Sequence, residues 1–202
     1  MDPRTAIVCR QTRETQISIE VNLDGSGQAD VQTPIGFLTH MLEALSRHSL
    51  IDLTVRASGD LHVDQHHTVE DLGFVLGSAL SKALAERRGI SRAGWCRYPM
   101  DEALAEAAID LSGRPFLVFD AVFGATHAGT LQIDLLTDFF DAFARSLGAN
   151  LHLGAIRGRS DHHKIEAMFK AVARALRMAV ALEPRAEGEV PSTKGALDIP
   201  VS

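Results

Sequence analysis

The chain has 202 residues, 46% of them hydrophobic and 23% charged, which suits one core or two small packed halves and excludes a disordered chain. Its net charge of −6 excludes sequence-independent nucleic-acid binding, which needs a basic surface. Two isolated cysteines, Cys9 and Cys96, exclude a disulfide scaffold, a zinc ribbon and an iron–sulfur cluster, and nine histidines are the one unusual count.

At the N-terminus, Arg4, Arg10 and Arg13 interrupt any apolar run, so no signal-peptide core is expected. No run of about 18 apolar residues occurs, so a cytoplasmic protein without a membrane partner is expected. Residues 15–23 alternate, with Ile17, Ile19, Val21 and Leu23 on one face of a strand. The turn Asp24-Gly25-Ser26-Gly27 predicts a hairpin whose second strand is 28–33. Phe37, Met41, Leu42 and Leu45 share a helical face within 36–48. A strand at 51–57 and a polar loop to Gln65 precede a helix over 66–88, which Gly89 should end.

The second half follows the same plan. Strands are expected at 101–111 and 116–123, a helix at 137–147, a strand at 150–156, a loop at 158–160 and a long helix at 162–182. The tail from Glu183, with Pro184, Gly188, Pro191, Gly195 and Pro200, reads as irregular. The order therefore predicts an α+β fold made by internal duplication. Residues 1–92 form the first half; 93–202 form the second half and the tail.

Both long helices open on the same signature, His66-His67-Thr68-Val69-Glu70 and His162-His163-Lys164-Ile165-Glu166. Chance supplies HHxxE roughly 0.02 times in a chain of this composition, by template counting. Residues four apart share a helix face, so His66 can act with Glu70 and His162 with Glu166. His67 and His163 are turned by about 100° and aim elsewhere. One motif cannot easily wrap a single ion, whereas two facing motifs could build two sites. Each site would combine a His–Glu face with the other motif's odd His and one further ligand, His40 or His152. Imidazole and carboxylate donors suit Mn, Fe, Co, Ni or Zn, and the absence of thiolate disfavours a structural zinc. Lys170 lies four residues beyond Glu166, on the same face. His62 and His127 fit no motif and read as surface residues.

The sequence resembles the imidazoleglycerol-phosphate dehydratases, lyases of histidine biosynthesis, through the stretches at 10–27, 36–42, 64–73 (DQHHTVEDLG), 99–105, 110–115, 161–171 (DHHKIEAMFKA) and 191–197. The resemblance implies two sheets sandwiching helices, in the manner of ribosomal protein S5 domain 2. It also implies two Mn2+ per active site, one held by His66, Glu70, His152 and His163 and the other by His40, His67, His162 and Glu166. Glu14 and Glu166 are implied as catalytic carboxylates. The implied substrate-binding residues are Glu14, His40, His48, Arg92, Arg114, Lys170, Ser192 and Lys194. The implied partner is a small phosphorylated imidazole, and the implied assembly is a homo-oligomer of 24 subunits with sites at subunit contacts. The expected reaction is dehydration of imidazole glycerol phosphate to imidazole acetol phosphate through a dimetal-bound imidazolate. Thr39, Pro34 and Ser160 stand where the family usually has Asp, Gly and Asn. Thr39 thereby removes an expected acceptor beside His40.

Two other readings fit the metal motif. A binuclear hydrolase would need a bridging carboxylate, for which Asp64, Asp71 and Asp161 lie nearby. A metal-stapled assembly protein would leave Arg92, Arg114, Lys170 and Lys194 without a purpose.

Overall fold

A computed structural model describes residues 3–186 and 188–197. The strands are β1 (Thr5–Gln11), β2 (Thr15–Asn22), β3 (Ala29–Gln32), β4 (Asp52–Gly59), β5 (Ala93–Met100), β6 (Ala103–Asp110), β7 (Phe116–Asp120), β8 (His127–Ala128), β9 (Leu131–Gln132) and β10 (Asn150–Arg157). The helices are α1 (Gly36–Ser49), α2 (His66–Leu84), α3 (Leu135–Leu147) and α4 (Asp161–Val180), followed by a single 3₁₀ turn at Pro184–Ala186. The tail residue Pro200 lies outside the described residues.

The duplication is visible in the topology. One sheet has the order β1-β2-β4-β3 and the other β5-β6-β10-β7. In each, the outer hairpin is antiparallel and the last strand runs parallel to the strand that follows its helix. The small β8–β9 hairpin is an insertion in the second half. Each sheet buries one face. Ile17, Ile19 and Val21 of β2 are at most 1% exposed, as period-two patterning predicts.

The helices fill the space between the sheets and pair across the halves, α2 against α3 and α1 against α4. Gly73 and Gly77 of α2 make the first pairing possible, since a Cβ at either would collide with the carbonyls of Phe139 or Phe143 in α3. Phe139, Phe140, Phe143 and Phe169 meet there as an aromatic cluster, with the Phe140 and Phe169 centroids 4.9 Å apart.

Three expectations need correction. Residues 29–32 do not form a hairpin with β2; they pair in parallel with β4. The Asp52 carboxylate accepts the backbone N–H groups of Ser26 at 2.8 Å and Gln28 at 2.9 Å, which carries the chain past β2 to the far side of β4. The hairpin partner of β2 is instead β1, and that of β6 is β5; neither was expected as a strand. Both are edge strands with few buried side chains, so the alternation is weak, and an edge also tolerates Pro99. Finally, α2 ends at Leu84, short of Gly89. Ala85 and Arg87 take positive φ values of 47° and 56°, turning Arg87 into the core. Its guanidinium donates to the carbonyls of Leu111, Leu147 and Gly148, and so satisfies the open end of α3.

Candidate active site

The site is built first from the start of α4. Ser160 caps this helix, its hydroxyl accepting from the His163 N–H at 3.3 Å. Serine thus serves the capping role that asparagine would serve there. The first turn then presents His162 and, four residues on, Glu166. His162 Nε2 lies 3.2 Å from Glu166 Oε2. His40 of α1 reaches the same oxygen, with Nε2 at 3.4 Å. The three donor atoms lie within 4.8 Å of one another, and the edge of Phe37 packs on the His162 ring at a centroid distance of 4.9 Å. Glu166 is only 7% exposed. Burial raises its pKa, but the Lys170 ammonium, 2.7 Å from Oε1, and His40 outweigh it, so the carboxyl stays below its usual range. Two imidazoles and a buried anion form a donor set suited to a divalent transition metal.

The other donors take separate positions within one chain. His66 Nε2 lies 3.8 Å from Glu70, as the i,i+4 spacing predicts, while its Nδ1 lies 3.6 Å from Asp138 of α3. His67 turns away from His66 with ring planes 82° apart; its Nδ1 meets Asp60 at 3.1 Å and lies 3.9 Å from Glu14. His163 likewise turns 89° from His162, and its Nδ1 meets Glu102 at 2.8 Å. In both cases the carboxylate hydrogen bond is the main cause that raises the histidine pKa. It also engages Nδ1 and leaves Nε2 as the nitrogen able to bind a metal. Glu102 is itself pulled to about 2 by His163 and by the backbone N–H of Ser160. His152 lies on the outer face of β10, beside Trp95 and Val118. Of the two expected four-ligand sets, one chain therefore assembles His40, His162 and Glu166 alone. His66 and Glu70 stay together as a pair, apart from His67, His152 and His163.

Thr39 contributes nothing to His40 directly. Its hydroxyl lies 2.9 Å from that of Thr33 and anchors the entry to α1. Pro34 is exposed in the bend before that helix.

The expected phosphate-binding residues fall into three places. Lys170 sits over the Tyr98 ring at 5.7 Å, and the Tyr98 hydroxyl lies 3.4 Å from His48 Nδ1. Partial burial, then the charges of Lys170 and Arg174, lower the His48 pKa. Arg92, in contrast, forks onto Asp110 at 2.7 and 2.9 Å and donates to the Pro191 carbonyl, close to Ser192 and Lys194. Arg114 occupies the β6–β7 connection, where its carbonyl accepts from Asn150. Asp60, Tyr98, Glu102, Asp138 and Arg174 were absent from the sequence-based expectations. Tyr98 sits on an unrecognised strand. Glu102 had a usable signal, because Glu14 and Glu102 each immediately precede the inner strand of the corresponding hairpin, β2 or β6.

Comparison with known proteins agrees with this architecture. The sequence profile of the imidazoleglycerol-phosphate dehydratase family matches residues 33–176. Relatives bearing that name from Ruegeria sp. (strain TM1040) and Acidiphilium cryptum (strain JF-5) are each 56% identical over 194 residues, which is 96% of this chain and 100% and 99% of theirs. The crystal structure of the Staphylococcus aureus subsp. aureus N315 dehydratase is 35% identical with a TM-score of 0.80, over 88% of this chain and 99% of that one. That of IGPD from Pyrococcus furiosus in complex with (S)-C348 is 34% identical with a TM-score of 0.81, over 94% and 100%. No described helix is long and apolar enough to cross a membrane. The chain belongs to the imidazoleglycerol-phosphate dehydratase family, the hydro-lyases of histidine biosynthesis.

Proposed function

We propose that this chain dehydrates D-erythro-imidazole glycerol phosphate to imidazole acetol phosphate in the cytoplasm, with two Mn2+ per active site. One observation carries the reading. Along the paired helices α1 and α4, His40, His162 and Glu166 gather as metal donors, and the basic residues follow in one direction, Lys170 one turn beyond Glu166 and His48 two turns beyond His40. A substrate with an imidazole ring at one end and a phosphate at the other matches that polarity.

His40, His162 and Glu166, completed by His67, would hold one ion; His66, Glu70, His152 and His163 would hold the other. A single chain keeps these donors on separate surfaces, so the sites are completed between subunits of a homo-oligomer, for which 24 copies are expected. Bound divalent ions supply Lewis acidity that favours the deprotonated form of an imidazole ring. The chain's own residues do the rest. Glu166, kept ionised by Lys170, fixes the donor cluster. The half-exposed Glu14 carboxylate, near His67, handles the protons, one leaving a substrate carbon and one joining the departing hydroxyl. The net loss is water, and the enol formed tautomerises to the ketone. Arg92, Arg114, Lys170, Ser192 and Lys194, brought together between subunits, hold the phosphate, which is retained, and His48 is a further substrate contact.

The test is to incubate the Mn2+-loaded protein with imidazole glycerol phosphate and measure ketone and free phosphate. Ketone should equal substrate consumed, without phosphate release, and a chelator should abolish the reaction. Phosphate release without ketone would overturn the reading in favour of hydrolysis. Efficient turnover of a ring-N-methylated substrate would overturn the imidazolate route.

A further inference from the structure

We propose that Arg174 is an additional phosphate-binding residue, extending the basic row of α4 one helical turn beyond Lys170. This rests on the substrate reading above. Glu166, Lys170 and Arg174 follow one another at four-residue intervals along α4 and form one row. Alongside, α1 places His40 at Glu166 and His48 near Lys170 and Arg174. From Glu166 to Arg174 the helix rises about 12 Å, at 1.5 Å per residue. On the sheet side the same row is lined by Met100, Tyr98 and Cys96, the alternate residues of β5. Met100 and Tyr98 contact Lys170, and Cys96 lies within the field of Arg174.

The cations at this end differ in how far their charge is already compensated. Lys170 is held by Glu166 at 2.7 Å. Arg92 is clamped by both oxygens of Asp110 and by the Pro191 carbonyl. A phosphate dianion meeting these two groups meets charges that internal carboxylates have largely cancelled. Arg174 is exposed, and among the described residues no carboxylate lies within 4.0 Å of its guanidinium. Its planar fork can give two parallel N–H donors to one phosphate. Its position beside His48 puts those donors next to the charge of Lys170.

The experiment compares Arg174→Gln and Arg174→Lys with the parent in the Mn2+-loaded oligomer. In Arg174→Gln, KM for imidazole glycerol phosphate should rise about 10- to 100-fold, the range for loss of a charged hydrogen-bonding partner, with kcat changed far less. Calorimetric affinity for inorganic phosphate should fall in parallel, and Arg174→Lys should recover part of both. Binding of 1,2,4-triazole, which has no phosphate, should not change. Unaltered KM and phosphate affinity would overturn the assignment, marking Arg174 as a surface charge. A parallel loss of triazole binding would also overturn it, showing a general disturbance of the site. If the parent binds phosphate but does not dehydrate the substrate, the substrate reading fails, and the phosphate affinities still decide the role of Arg174.

Discussion

The two HHxxE motifs are the same in sequence and unequal in setting. In the second, Glu166 is buried, bonded to Lys170 and shared by two imidazoles from different helices. In the first, Glu70 is half exposed and lies 3.8 Å from His66. Duplication supplied two copies of a ligand pattern, and packing turned only one into a formed cluster within the chain. What survives in both is the treatment of the odd histidine, which leans its Nδ1 on a carboxylate, Asp60 for His67 and Glu102 for His163.

The halves also differ at their helix exits, and that gives the largest expected effect. Arg87, fully buried after α2, satisfies carbonyls at the end of α3. Arg87→Met should destabilise the protein by about 3 kcal/mol or more, because several buried acceptors lose their donor. Urea unfolding measures this, and a loss under 1 kcal/mol would show that the joint between halves is not held there.

Glu166→Gln should cost about 1–3 kcal/mol in metal-free protein, as it strands Lys170 and thins a buried network. Glu70→Gln should stay within about 0.5 kcal/mol, as expected of an exposed pair. Equal losses in the two variants would erase the asymmetry between the motifs. A shared feature is tested by Glu102→Gln and Asp60→Asn. Each should weaken Mn2+ binding about 10- to 100-fold by loosening its imidazole, with the thermal midpoint nearly unchanged. Competition with a chelating dye reads this directly.

The smallest effect is a titration in metal-free protein. Glu102, held near 2 against an ordinary 4.5, stabilises the fold above its ordinary value, and the contribution is lost as pH falls towards 2. His163, raised above 6.5, contributes fully below 6.5 and loses that contribution as pH rises through its raised value. In NMR titrations Glu102→Gln should return His163 towards 6.5. An unmoved His163 curve would remove Glu102 as the cause.

Much of this molecule is legible in one dimension. The alternation of β2, the spans of α1, α3 and α4 to within about two residues, and the repeat order all follow from local periodicity, since each element buries one face of a short segment. The pairing of His162 with Glu166, and of Glu166 with Lys170, follows from 3.6 residues per turn. Edge strands β1 and β5 escaped because they bury too little to alternate clearly, and Tyr98 escaped with them.

By itself, the sequence determined the duplicated α+β plan, the dehydratase family and the ligand-bearing residue types. The tertiary structure decided which of those ligands meet. His40 joins Glu166 because α1 packs beside α4, a contact across more than a hundred residues that no local spacing encodes. It also decided that the β4–α2 connection and the β5–β6 turn deliver carboxylates, Asp60 and Glu102, to the odd histidines. Side-chain convergence depends on how helices pack between two sheets, and that is settled by the shape of the whole core.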